Sequence, residues 1–145
     1  MLLGYIDIES VSQKMVLESN LESVLTVEKL ISQARDEYAI SEENYNYIWI
    51  ALNEAVSNAI KHGNKFNPSK KVKLKVETKD NRYLCFTIKD EGEGFDFKSV
   101  PDPTSAERIG EPNGRGVFLI NKLADFVNYS DNGTSVEIGF DLYKN

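Results

Sequence analysis

Two periods run through the hydrophobic positions of this chain. Val24, Val27, Ile31, Ala34 and Tyr38 recur at helical spacing. Ser19-Asn20-Leu21-Glu22 precedes them and reads as a capping box that starts the helix. Ser41, followed by Glu42 and Glu43, marks a second helix start, with acids at the positive end of the dipole. That helix carries Tyr45, Ile48, Trp49, Leu52, Ala55, Val56, Ala59 and Ile60 on one face. It is expected to run to about His62 and to stop at Gly63 and Asn64. The period then falls to two. Val72, Leu74 and Val76 alternate with polar residues, as do Leu84, Phe86 and Ile88, which predicts two strands joined through Asp80-Asn81 in a hairpin. Tyr5–Glu9 and Lys14–Glu18 read as short strands near the start.

Asp90-Glu91-Gly92-Glu93-Gly94 forms a glycine-punctuated turn after the second hairpin strand. The stretch from there to Asn113 has little periodicity and contains Pro101, Pro103 and Pro112; long irregular stretches of this kind are often lids or binding loops. Gly114-Arg115-Gly116 is expected to open a helix over Val117 to about Asp125. Phe126–Tyr129, a turn at Asp131-Asn132-Gly133 and Thr134–Leu142 complete a closing hairpin. Helices and hairpins are partly segregated along the chain. This predicts an α+β two-layer sandwich, a mostly antiparallel mixed sheet covered on one face by helices. With no internal repeat and no Gly/Ser linker, residues 1–145 are expected to form a single domain.

Composition narrows the function classes. Hydrophobic residues make up 41% and charged residues 28%, the balance of a soluble globular protein. No apolar run is long enough to span a bilayer, and MLLGYIDIES lacks the basic start of a secretory signal, so a cytoplasmic location is expected. Cys85 is the single cysteine and sits in the apolar run Tyr83–Ile88, as a buried thiol in a reducing compartment would. Lys plus Arg total 17 against 23 Asp plus Glu, a net charge of −6 that opposes nucleic acid or an anionic membrane as partner. Lys70, Lys71, Lys73 and Lys75 cluster, but their alternation with Val72, Leu74 and Val76 reads as the solvated face of a strand. An anionic ligand would therefore have to be held by local groups.

Four short patterns could carry chemistry. Glu54, Asn58 and Lys61 share one stripe of the second helix, roughly opposite its apolar face. A solvated face is the ordinary reading. Asn53 and Asn58, however, are poor helix formers in a helix interior, and a carboxylate one turn before an amide oxygen suits a hard cation such as Mg²⁺ with its waters. Asp90-x-Gly92-x-Gly94 is either a plain turn or an acceptor for an exocyclic amino group, with glycines that let a ligand approach the backbone. Gly114-Arg115-Gly116 either shapes a loop or offers free N–H groups to phosphate at a helix start. Arg115 is correspondingly a surface charge or a reach to the terminal phosphate. Thr134 is a strand residue or the closing hydroxyl of a base pocket.

Taken in order, these patterns resemble the GHKL ATPase superfamily, most closely its anti-sigma-factor serine kinases. Glu54-Ala55-Val56-Ser57-Asn58-Ala59-Ile60-Lys61-His62-Gly63 is similar to their N box, and Asp90–Phe95 to their first glycine box. Pro101–Thr104 with Gly114–Ile120 is similar to their lid and second glycine box, and Gly133–Glu137 to their final strand motif. The resemblance implies a Bergerat-type ATP-binding fold with ATP and Mg²⁺ as cofactors. It implies Glu54 as general base, Asn58 as the Mg²⁺ ligand and Asp90 as selector of adenine. Gly92 and Gly94 would border the nucleotide and Gly114, Arg115 and Gly116 would hold the phosphates. Lys61 and His62 would be neighbours of the nucleotide, and Thr134 would lie near the base. It further implies a protein serine/threonine kinase that phosphorylates a serine on a small antagonist protein, binds a sigma factor and forms a homodimer. The alternative is a nucleotide-gated binding module with little or no turnover. A histidine phosphoacceptor is disfavoured, because His62 is the single histidine and ends the N-box helix itself.

Overall fold

The period-two runs place Val72, Leu74, Val76, Leu84, Phe86 and Ile88 on one side of a pleated sheet, all buried. The computed structural model describes residues 12–97 and 112–143. The strand expected over Tyr5–Glu9 and the lid motif Pro101–Thr104 lie outside the described residues. In chain order the elements are β1 (Ser12–Glu18), α1 (Ser23–Tyr38), α2 (Glu42–Asn58) and a π-turn (Ala59–Gly63). β2 (Lys71–Lys79), β3 (Tyr83–Lys89), α3 (Pro112–Leu123), β4 (Phe126–Ser130) and β5 (Ser135–Asp141) follow. The strands lie in the order β1-β2-β3-β5-β4. Every pairing among them is antiparallel. The helices cover the face that carries Leu74, Ile88 and Val136, giving the expected two-layer α+β sandwich. Ile31 of α1, Leu52 and Val56 of α2 and Ile120 of α3 join one core with the sheet.

Local chemistry explains most element ends. Ser41 caps α2, its hydroxyl accepting from Asn44 N–H at 3.2 Å. Asp80 and Asn81 both have positive φ, 57° and 51°, as the central pair of a type I′ turn requires, and the Arg82 N–H closes the turn on the Lys79 carbonyl at 3.0 Å. The capping box expected at Ser19 does not form. Glu22 holds the N-cap position of α1 without a side-chain cap. Ser19 is instead buried, its hydroxyl donating to the Lys70 carbonyl and accepting from Asn64 Nδ2 at 3.0 Å. A long-range buried partner outcompetes the local one, because leaving Asn64 unpaired in the interior costs more than leaving a helix end to water.

Two other expectations shift. α2 was expected to continue to His62, but regular α-helix ends at Asn58 and the chain widens into the π-turn, followed by Asn64 at φ −84° rather than in a left-handed cap. π-turns of this kind concentrate at functional sites. α3 begins at Pro112 rather than Val117, since proline's fixed φ suits a first helical position. Gly114, Arg115 and Gly116 therefore lie inside its first turns.

Cys85 lies on the sheet face away from the helices, yet it is fully buried. Its β5 neighbour is Gly139, and a Cβ there would fall 2.1 Å from Cε1 of Phe126, so the glycine makes room for that ring beside the thiol. Burial pushes the Cys85 thiol from its ordinary 9.0 up to about 11. A pKa raised by folding adds stability that is complete below the unfolded value and is lost as pH rises through the folded one. Urea midpoints are therefore expected to fall between about pH 9 and pH 11, and to fall less in Cys85→Ala. An identical decline in both proteins would contradict this placement of the thiol.

Candidate functional site

Helical spacing brings Ala55, Asn58, Ala59 and His62 to one side of α2 and its π-turn, and that side lines a cleft. The floor is the helix-facing side of the sheet, with Ile88 and Val136. One wall is Val117 and Ile120 of α3, and the far end is closed by Asp90, Gly94, Phe95, Tyr129, Gly133 and Thr134. The two alanines keep the helix side low, so the cleft reaches down to the sheet.

The Asp90 turn is held against the π-turn by contacts that admit no side chain. A Cβ on Gly63 would lie 2.4 Å from the carboxyl carbon of Asp90, and one on Gly92 would lie 2.2 Å from the Gly63 carbonyl oxygen. The Asp90 carboxylate accepts from the Gly92 N–H at 2.8 Å, and the Asp90 N–H donates to the Thr134 carbonyl at 2.9 Å. Burial raises the Asp90 carboxyl above the usual aspartate value, opposed by the Gly92 hydrogen bond and by Lys70 and Lys89. On the other side of the loop, Gly94 has φ +83° and its Cβ position would meet the Asn132 carbonyl oxygen at 2.0 Å. The Phe95 N–H donates to that same oxygen at 2.9 Å. The first glycine loop and the β4–β5 turn are thus clasped backbone to backbone.

At the opposite end, α3 crosses α2 where Gly116 lies. A Cβ there would fall 2.2 Å from Asn58 Nδ2 and 3.3 Å from Glu54 Oε2. Glycine therefore lets the start of α3 rest directly on the Glu54–Asn58 ridge. Both side chains are half-buried there rather than solvated. His62 is half-buried beside the cleft; burial first, and Lys61 second, lower its pKa below the ordinary value.

The structure brings Asn58, His62, Asp90, Gly94 and Thr134 around one cleft, with Gly92 packed behind Asp90 and Glu54 beside Gly116 at the mouth. Lys61 is not part of this set. It is exposed and does not line the cleft. The stripe Glu54–Asn58–Lys61 assumed 3.6 residues per turn, and the π-turn over Ala59–Gly63 breaks that period before Lys61 is reached. Gly114 and Arg115 fall in the first turn of α3. The N–H groups free of intrahelical partners are those of the turn beginning at Pro112, one turn earlier than expected. The Arg115 side chain lies outside the described residues. Thr134 precedes β5 rather than starting it, and its hydroxyl donates to the Asp131 carbonyl at 2.8 Å.

With this geometry in view, residues 17–140 match the model of the histidine kinase-like ATPase domain. The chain belongs to the histidine kinase-like ATPase family. Among similar members is Serine-protein kinase RsbW of Staphylococcus epidermidis, 31% identical over 122 residues, which are 79% of this chain and 74% of that one. RsbW of Listeria innocua is 28% identical over 119 residues, 77% of this chain and 73% of that one. A solved histidine kinase domain, from the blue-light activated histidine kinase EL346 of Erythrobacter litoralis, superposes with a TM-score of 0.55 at 18% identity. It covers 84% of this chain, which spans 60% of that structure. At that identity the likeness speaks for the fold of the histidine kinase-like ATPase domain alone.

One residue that shapes the site was read from sequence only as a helix stop. Asn64 is buried; its Nδ2 donates to Ser19 Oγ and to the Lys71 carbonyl, both at 3.0 Å, and its Oδ1 accepts from the Glu91 N–H at 2.7 Å. It ties the loop after the π-turn, β2 and the Asp90 turn together. No local signal marks such a role, because all three partners are remote in sequence or sit across a turn. Asn64→Asp keeps the shape but removes both donors and adds a buried charge. We expect it to lower stability by about 2–4 kcal/mol in urea unfolding, more than an exposed substitution at Asn67. Equal midpoints for Asn64→Asp and wild type would contradict the hub.

Proposed function

We propose that the cleft binds ATP, with its base toward Asp90 and Thr134 and its phosphates toward Asn58 and the start of α3. We further propose that the chain acts as a protein serine kinase and anti-sigma factor in a partner-switching system. The observation that carries this is the pairing of two unlike ends on one cleft. A half-buried carboxylate and amide meet the start of a helix across Gly116, and a desolvated carboxylate sits at the other end. Relatives named serine-protein kinases support the reaction class.

Each residue then has a physical task. The Asp90 carboxylate accepts a hydrogen bond from the exocyclic amino group of adenine, which guanine, with an oxygen there, cannot give. The first turn of α3 faces the phosphates with free N–H groups and a positive dipole end, which offsets the net charge of −6 locally. His62 lines the cleft and offers a ring nitrogen for a hydrogen bond. Glu54 takes the proton of the incoming serine hydroxyl as its oxygen bonds to the γ-phosphorus and the bond to ADP breaks.

Among the described residues no three His, Cys, Asp or Glu side chains cluster into a metal cage. A Mg²⁺ ion here would take the Asn58 amide oxygen and complete its shell with phosphate oxygens and water, a donor set that suits it. Its chemistry would be to neutralise phosphate charge. The acceptor in this proposal is a serine on a small antagonist protein and the second partner is a sigma factor. The working state is a cytoplasmic homodimer.

Glu54→Ala is expected to retain Mg·ATP affinity within about threefold and to lose transfer by at least about 10²-fold. Labelled ATP and candidate serine-bearing antagonists from the same genome measure both, and transfer at the wild-type rate would remove Glu54 from the mechanism. Asp90→Asn replaces an acceptor-only carboxylate with an amide that can present a donor to the adenine amino group. ATP affinity is expected to drop about tenfold or more, with less discrimination against GTP. The variant's melting temperature without ligand should not drop, since burial already disfavours the Asp90 charge. Titration curves that match the wild type for both nucleotides would refute the assigned role.

A further inference from the structure

The floor of the cleft is one cross-strand row of the sheet. Leu74, Ile88, Val136 and Tyr129 stand opposite one another in register on β2, β3, β5 and β4, on the helix-facing side. Leu74, Ile88 and Val136 are buried and apolar. Ile88, Val136 and Tyr129 line the cleft. Tyr129 ends the row at the sheet edge and is its single polar member.

Two rings fix the Tyr129 ring in place. Phe95 meets it edge-on at 5.5 Å and 85°, and Phe97 stacks on it at 5.2 Å and 22°. Phe95 is held in turn by the backbone clasp between its N–H and the Asn132 carbonyl. The Tyr129 ring is thus rigid and shares the end of the cleft that holds Asp90, Gly133 and Thr134. Its hydroxyl is drawn away from water, and burial alone pushes it up to about 12, with no charged neighbour contributing. Among the described residues, Phe95 and Phe97 are the ring partners that hold Tyr129. Tyrosine rather than phenylalanine at the end of an otherwise apolar row puts a polar residue into the lining of the cleft, beside Asp90 and Thr134.

We propose that Tyr129 is a second specificity-determining residue of the cleft, donating its hydroxyl hydrogen to a ring nitrogen of the bound base. This inference rests on the ATP reading above. Asp90 accepts and Tyr129 donates, so together the two would read a donor and an acceptor on one heteroaromatic ring. A rigid ring with a single rotatable hydroxyl performs this at little entropic cost, because no side chain must be ordered on binding.

The test compares wild type, Tyr129→Phe and Asp90→Asn in equilibrium binding of ATP, 1-deaza-ATP and 7-deaza-ATP with Mg²⁺. Phenylalanine keeps the ring contacts to Phe95 and Phe97, and melting temperatures without ligand check that the fold is intact. Tyr129→Phe is expected to bind ATP about three- to tenfold more weakly than wild type. One of the two deaza analogues should show a similar loss on wild type and no further loss on Tyr129→Phe. Two outcomes overturn the inference while leaving the ATP reading standing. One is undiminished ATP binding by Tyr129→Phe when Asp90→Asn binds weakly. The other is wild-type binding of both deaza analogues as tightly as ATP. Absence of ATP binding by wild type would overturn the reading beneath it as well.

Discussion

A missing side chain at residue 63 is the constraint on which the cleft depends. The Asp90 turn can lie against the end of the α2 segment only because no Cβ stands between Gly63 and the Asp90 carboxyl, and the reciprocal absence at Gly92 lets the two backbones touch. The π-turn delivers Gly63 to that contact, and Asn64 then locks it by bonding the loop at Ser19, β2 at Lys71 and the turn at Glu91. The position of the acceptor at one end of the cleft is thus set by backbone packing. Such packing is stiffer than a side-chain rotamer and loses less entropy when a ligand arrives.

The opposite end repeats the device with different partners. Gly116 lets α3 settle on Glu54 and Asn58, just as Gly94 and Gly133 let the first glycine loop and the β4–β5 turn close on each other. Gly63, Gly92, Gly94, Gly116 and Gly133 each permit an approach that a Cβ would block. A helix face that would be solvated on an isolated helix becomes the mouth of a site once a second helix crosses it. Burial then alters the chemistry of what it encloses, raising Asp90 and lowering His62.

Charge follows the same local logic. The chain carries a formal −6, so no long-range field draws an anion in. Three lysines of β2 are engaged elsewhere. Lys71 pairs with Glu18 at 2.5 Å and Lys75 with Glu77 at 2.5 Å, and Lys79 bonds Glu137, all on the open face of the sheet away from the cleft. An anion in the cleft would be met by N–H groups and the helix dipole rather than by these cations. Ion pairs on an open surface of this kind contribute little to stability.

The sequence by itself determined the elements and their class. Apolar periods of 3.6 and 2 located the helices and hairpins, Asp80-Asn81 named its turn, and the order of the glycine motifs carried the family, because these signals are local or linear. Tertiary structure alone decided where side chains went when a remote partner competed with a local one. Ser19 left its expected cap for Asn64, Lys61 left its stripe because the helix widened, and Asn64 changed from a stop signal into a hub. Tyr129 acquired meaning only when four strands lined up in register. For Ser19 and Asn64 the physical reason is that a buried polar group must be paired, and for Lys61 and Tyr129 it is where the backbone carries the residue; both are decided by proximity in space, which a linear pattern does not encode.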